Sequence, residues 1–231
     1  MWNKCLTDAL LSLGFLGSKT DSSLFFKCAG ERKLFCLIYV DDILVMGSDS
    51  ALVQSLVTQL QNKFAVRDLG KLSYFLGIET SAGLHLQQGK YVGDLLKRVH
   101  MDSCSNISTP ASPSTKLSST EGSQFNNSTL YRSVVGALQY LTFTRPDIAF
   151  AVTKVSQFMH CTMDSHWTAV KHILRYIKAT PSHGLFFAKG TSTLLHGYTD
   201  SDWGGDVNDR KSTTRFAIFL GSNLISWASR K

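Results

Sequence analysis

Apolar residues run unbroken over 34–40 (LFCLIYV), pause at Asp41 and Asp42, and resume over 43–46 (ILVM). Two short apolar runs around a two-residue polar break predict a β-hairpin buried in a sheet. A helical period follows: Leu52, Val53, Leu56, Leu60 and Phe64 share one stripe, with Ser48 or Asp49 placed to cap it. The stretches 72–79 and 84–87 predict a second hairpin, turning near Ser81-Ala82-Gly83. From Asp102 to Thr129 the period disappears into Ser, Thr and Asn with Pro110, Pro113 and Gly122, which reads as a loop or linker.

Helical spacing returns after it. Tyr131, Val134, Val135, Leu138 and Leu141 recur on one face. Pro146 stands where a first helical residue belongs, with Thr144 near the cap and Ile148, Ala151, Val152, Val155, Phe158 and Met159 following. Asp164 or Ser165 opens a third helix that buries Trp167, Val170, Leu174 and Ile177 and stops before Pro181. From Leu194 the chain breaks into short strands, the first over 194–198. The pattern is α+β, in four parts: 1–101, 102–129, 130–190 and 191–231. The last is too short to form a core alone, so its strands are expected to lean on the helical part or pack poorly.

Composition narrows the class. Of 231 residues 43% are hydrophobic and 18% charged, which supports a core and excludes bulk disorder. No apolar run reaches the length of a membrane span, no secretory signal stands out, and no membrane partner is expected. Cys5, Cys28, Cys36, Cys104 and Cys161 are odd in number and widely spaced, so neither a disulfide framework nor a zinc knuckle is indicated and an intracellular setting fits. The scattered histidines show no ligand spacing. A net charge of +7 suits a polyanionic partner without requiring one.

Candidate chemistry concentrates at Asp41-Asp42. A turn that only needed closing would favour Asn-Gly or Asp-Gly, whereas two neighbouring carboxylates repel unless a cation lies between them. Paired hard oxygens at a rigid tip suit a divalent metal, and a solvated turn is the plain alternative. On the third helix Lys171, Arg175 and Lys178 recur at i, i+4 and i+7, opposite the apolar stripe. Such a row can track phosphates or simply face water.

The flanks of the aspartates carry a resemblance. Tyr39-Val40-Asp41-Asp42 between apolar strands resembles the catalytic hairpin of reverse transcriptases. The stretches 67–79 (RDLGKLSYFLGIE), 131–141 (YRSVVGALQYL) with 144–149 (TRPDIA), and 198–203 (YTDSDW) with 209–213 (DRKST) are similar, in order, to copia-type retrotransposon Pol polyproteins. The resemblance implies a reverse-transcriptase palm remnant over 1–101, a thumb-like helical region over 130–190, and the first strands of an RNase H-like domain over 191–231. It implies that Asp41 and Asp42 are polymerase carboxylates holding Mg²⁺, that Tyr39 lies beneath the primer end, that Phe75-Leu76-Gly77 is the primer grip, and that Lys171, Arg175 and Lys178 track nucleic-acid phosphates as a thumb does. Read alone, Gly77 equally suits a bulge. Asp200 matches the first RNase H carboxylate, while Asp202, Asp206 and Asp209 read as surface charges. The implied partners are an RNA template with a DNA primer, or an RNA–DNA hybrid, and a dNTP whose α-phosphate the primer 3′-hydroxyl attacks. The implied setting is cytoplasm or nucleus, with an organelle left open.

Departures from that pattern set a further expectation. No acid ahead of Asp41 matches the third polymerase carboxylate, since the surroundings of Asp8 and Asp21 differ. The later RNase H acids have no counterpart, and Arg215 replaces a usual glycine. The chain is therefore expected to be truncated at both ends, to bind Mg²⁺ weakly, and neither to polymerise DNA nor to cut hybrids alone. The alternative is a non-catalytic nucleic-acid-binding remnant or a decayed transposon product.

Overall fold

The computed structural model describes residues 2–81, 84–112, 117–120, 122–190 and 192–231. Helices and antiparallel sheets make two compact units, Met1–Phe75 and Leu76–Lys231.

In the first unit α1 (Trp2–Ser12) leads through β1 (Leu16–Gly17) to β2 (Leu24–Ala29), β3 (Arg32–Tyr39) and β4 (Asp42–Gly47), then to α2 (Ser50–Lys63) and the short β5 (Tyr74–Phe75). Strands β1 to β4 pair antiparallel in chain order. The pleat of β3 turns Leu34, Cys36 and Ile38 to the buried face. There they join Leu6 and Leu10 of α1 and Leu56 and Leu60 of α2. Burial pushes the Cys36 thiol up to about 12, so it acts as a small apolar filler.

The first hairpin forms with its loop one residue earlier than the sequence pattern suggests. Tyr39 pairs with Asp42, so Val40 and Asp41 are the loop residues and Asp42 opens β4. The far end of the ladder explains the shift. Leu34 pairs with Gly47, where an added Cβ would lie 2.7 Å from Leu34 Cδ2 and 2.9 Å from Val53 Cγ2. Ending there leaves Asp49 free to cap α2 by accepting the Ala51 N–H at 2.9 Å. A loop centred on Asp41 and Asp42 would draw position 49 into the ladder.

The second unit contains β6 (Ile78–Ser81), β7 (His85–Gln87), α3 (Gly89–Arg98), α4 (Ser128–Leu141), a 3₁₀ turn (Pro146–Ile148), α5 (Ala149–Ser156), α6 (Asp164–Ala179), β8 (Gly184–Phe186), β9 (Leu195–Ser201), β10 (Thr214–Leu220) and β11 (Asn223–Arg230). The hairpin predicted after residue 72 is β6 and β7, completed by β8; Ala82 and Gly83 of its expected turn lie outside the described residues. Leu95 of α3, Tyr131, Val135 and Leu138 of α4, Val152 of α5, and Val170, Leu174 and Ile177 of α6 share one core. The helix predictions hold at Pro146, which opens the 3₁₀ turn, and at Asp164, which opens α6.

The described residues of the Ser/Thr-rich stretch between α3 and α4 are irregular but not detached. Ile107, Ala111, Leu117 and Phe125 pack on the helical core, and Phe125 stacks on Trp167 at 5.1 Å. It is a strap over α6. Strands β9, β10 and β11 form an antiparallel sheet that leans on the helices, as its length led one to expect. Trp227 Nε1 donates to the Thr142 carbonyl at 3.1 Å, and Thr153 Oγ1 to the Ser229 carbonyl at 3.1 Å. Among the described residues, 192–231 add no apolar side chain to the buried core.

Two polar knots hold this unit. Arg145, 1% exposed, donates Nε to Asp147 Oδ1 at 2.9 Å, Nη2 to Asp147 Oδ2 at 2.8 Å, and Nη1 to the Thr180 carbonyl at 2.8 Å. Tyr176 donates its hydroxyl to Asp147 Oδ2 at 2.8 Å, and Thr144 Oγ1 donates to Gln88 Oε1 at 2.7 Å. Burial opposes ionisation of Asp147, but Arg145 and Tyr176 outweigh it and keep the carboxyl below its ordinary range. The second knot is His166, stacked on Phe158 at 3.8 Å. Its Nδ1 accepts the Met163 N–H at 3.0 Å and its Nε2 lies 2.8 Å from the Ser118 carbonyl, an arrangement that calls for the neutral ring protonated at Nε2. Burial pushes the imidazole pKa down, against the smaller upward pull of that carbonyl.

Arg145→Ala strands Asp147 and is expected to destabilise the second unit by about 3–5 kcal/mol, measured by urea unfolding. For His166, the folded pKa lies below the unfolded one, so the unfolded chain takes up the proton first. Stability is full above the ordinary histidine pKa and falls as pH drops through it. His166→Gln is expected to lower the melting temperature at pH 7.5 and to flatten its decline between pH 7 and 5, measured by parallel thermal melts.

Candidate functional site

The tip of the β3–β4 hairpin presents Tyr39, Val40, Asp41 and Asp42 to solvent. Val40 is held at φ +53°, in the left-handed region where a β-branched side chain is strained. Positive φ at the first of two loop residues is what a tight hairpin turn demands, and glycine normally supplies it. Here a valine does, 68% exposed and so with little packing to repay the strain. The result is a strained tip carrying two adjacent carboxylates. Neither forms an ion pair with any described residue.

Two carboxylates offer the hard oxygens that Mg²⁺ prefers, but not enough of them to hold it firmly. Among the described residues no group of three or more His, Cys, Asp or Glu is placed to hold a metal. The donor set fits magnesium in kind and falls short in number.

The other candidates lie elsewhere. Phe75 ends β5, and Leu76 and Gly77 follow at φ +51° and +79°, two successive left-handed residues. Of the three basic candidates on α6, Lys171 is exposed, whereas Arg175 and Lys178 are half-buried. Arg175 donates Nε to the Ser105 carbonyl at 2.9 Å and Nη2 to Ser105 Oγ at 2.7 Å, while Lys178 Nζ donates to the Cys104 carbonyl. His172, next to Lys171, reaches the Thr109 carbonyl at 2.9 Å. Much of the basic row is therefore spent fastening the strap, a role that residue spacing cannot reveal.

Asp200 sits near the end of β9, opposite Arg215 of β10 and ion-paired with it at 3.3 Å. Arg215 also lies over the Phe150 ring at 4.5 Å. Among the neighbouring acids one reading needs correcting: Asp206 is not a surface charge but 5% exposed. It accepts the Asn208 and Asp209 N–H groups at 2.8 and 3.2 Å and pairs with Lys231 at 2.7 Å. Burial pushes its carboxyl up, but Lys231 and those amides outweigh it and hold it at about 2. Asp202 likewise accepts the Thr213 N–H at 2.6 Å, closing the loop between β9 and β10.

Comparison with known proteins bears on what the tip is for. Residues 1–113 match the family model described as reverse transcriptase (RNA-dependent DNA polymerase). The whole chain is 46% identical to the retrovirus-related Pol polyprotein from transposon RE1 of Arabidopsis thaliana, and 99% of it is 36% identical to that from transposon TNT 1-94 of Nicotiana tabacum. The chain belongs to the copia-type retrotransposon Pol family. It spans 16% and 18% of the length of those two polyproteins. An uncharacterized mitochondrial protein of Arabidopsis thaliana is also similar, 42% identical over 86% of this chain and 83% of its own length. No solved structure matches. No described helix is long and apolar enough to cross a membrane.

Within this Pol segment the strain at Val40 is open to direct measurement. Val40→Gly is expected to stabilise the first sheet by about 1 kcal/mol, because glycine removes the left-handed penalty and little packing is lost. Slower amide exchange along β3 and β4 would show it, and an unchanged or faster rate would refute it.

Proposed function

We propose that this segment supplies part of the palm of a copia-type reverse transcriptase, with Asp41 and Asp42 as its metal-binding carboxylates and Tyr39 beneath the primer end. Phe75, Leu76 and Gly77 are the primer grip, α4 to α6 form a thumb-like region, and β9 to β11 are the first strands of an RNase H-like domain carrying Asp200. The nominal reaction is RNA-directed DNA synthesis on a primed template, with a dNTP as substrate. Magnesium bound at the tip would supply Lewis-acid activation for two-metal nucleotidyl transfer. The protein's own part is to hold two carboxylates rigidly in solvent, against their mutual repulsion, where a primer end can reach them.

One observation carries this reading: the exposed, strained Asp41–Asp42 tip lies inside the stretch that matches the reverse-transcriptase model. The shortfall of ligands supports its companion, that the chain alone does not polymerise and that further polymerase ligands come from elsewhere in a Pol polyprotein. On the RNase H side, Arg215 holds the carboxylate that a metal would need. That contact, with the commitment of Arg175 and Lys178 to the strap, favours a second reading in which the product is non-catalytic.

The test is a chimera in which this chain replaces the matching stretch of the transposon RE1 polyprotein. The expected result is primer extension on an RNA template, lost to background in Asp41→Asn, with no extension by the purified chain alone. A correctly folded chimera that stays inactive would favour the non-catalytic reading. Extension by the isolated chain, sensitive to Asp41→Asn, would overturn the claim that it is incomplete.

A further inference from the structure

We infer that Tyr140 is the positioning residue of the Leu76–Gly77 turn, fixing these two residues of the segment read above as the primer grip to helix α4; the functional half of this inference rests on that reading. The turn cannot hold itself. Leu76 stands at φ +51°, a conformation that a leucine leaves unless its surroundings impose it. The surroundings that do so are specific. The Tyr140 hydroxyl donates to the Leu76 carbonyl, so the strained residue is tied at a backbone group whose direction follows from its left-handed shape.

The next residue is matched to the same side chain. At Gly77, φ +79° already favours glycine, and an added Cβ would lie 3.1 Å from the Tyr140 hydroxyl and 3.5 Å from its Cε1. The glycine therefore serves two needs, the turn's shape and the approach of the phenol. Tyr140 is in turn held edge-on by Tyr91 of α3 at 5.1 Å and by Phe143 at 5.9 Å. Three aromatic rings thus fix the hydroxyl, and the hydroxyl fixes the turn. A turn that must present backbone to a primer needs such an anchor, because a swing of an ångström there would misplace the primer end.

Tyr140→Phe tests this, since it keeps the ring and removes only the donor. In the purified full chain, amide exchange at Leu76, Gly77 and Ile78 is expected to quicken about tenfold, while exchange in the α4–α6 core stays unchanged. Affinity for an RNA–DNA hybrid with a recessed DNA 3′ end is expected to fall several-fold in the same variant. Gly77→Ala, which crowds the hydroxyl from the other side, is expected to reproduce both effects. Unchanged exchange at the turn in Tyr140→Phe would overturn the anchor. Faster exchange with unaltered hybrid affinity, or a wild-type chain that does not bind the hybrid, would leave the anchor standing and remove the primer-grip reading instead.

Discussion

The second unit depends on one buried cation. Arg145 is fully enclosed, and a guanidinium taken out of water must have its donors met nearby or the fold cannot retain it. Asp147 and Thr180 meet them, so the cation fixes the 3₁₀ turn that opens α5 against the end of α6. The preceding residue, Thr144, hydrogen-bonds Gln88 at the start of α3. Four consecutive residues, Thr144 to Asp147, therefore set how three helices meet. Their likeness to Pol polyproteins needs no catalytic role, because geometry alone demands them.

A different constraint governs the hairpin tip. Inside the first unit, Gly47 limits one end of the β3–β4 ladder because α2 closes over it, and Asp49 must stay free to cap that helix. Counting back along the ladder makes Val40 the left-handed residue. The strain at the tip is thus imposed by packing at the opposite end of the hairpin. It leaves Asp42 locked in a strand and Asp41 in the loop beside it, two carboxylates whose spacing the backbone sets.

Legibility in the sequence followed the strength of the local signals. The hairpin, α2, α4 and α6 were readable from apolar period and caps, and Pro146 and Asp164 mark real element starts. Helices α1 and α3 were missed for physical reasons. In α1 only Leu6, Ala9 and Leu10 are buried, too few to announce a period. In α3 Gly89 and Gly93 lower helix propensity and Gln88 caps without a side-chain bond, although Val92, Leu95 and Leu96 keep a helical spacing. The strap was invisible because Ser and Thr composition reports the absence of a period, not the burial of Ile107 or the carbonyls offered to Arg175 and Lys178. At the candidate sites Asp41 and Asp42 stood out as a local pair. The partner of Asp200 did not, because Arg215 reaches it only through strand register.

That register sets the two acidic sites apart. An exposed ion pair such as Asp200–Arg215 contributes little to stability. It still places a guanidinium where a divalent ion would have to bind, and the Phe150 ring keeps that guanidinium close. Around Asp206 and Asp209, Lys231 and backbone amides occupy the carboxylates in the same way. At the hairpin tip neither aspartate is ion-paired with a described residue, and both side chains are exposed to solvent. Within one chain, the acids of the last sheet have been drawn into its own architecture, while the pair on the hairpin is still presented outward. A carboxylate pair that the fold does not use, raised on a turn that the fold strains to make, is the feature that structural needs leave unexplained and that the proposed metal role would explain.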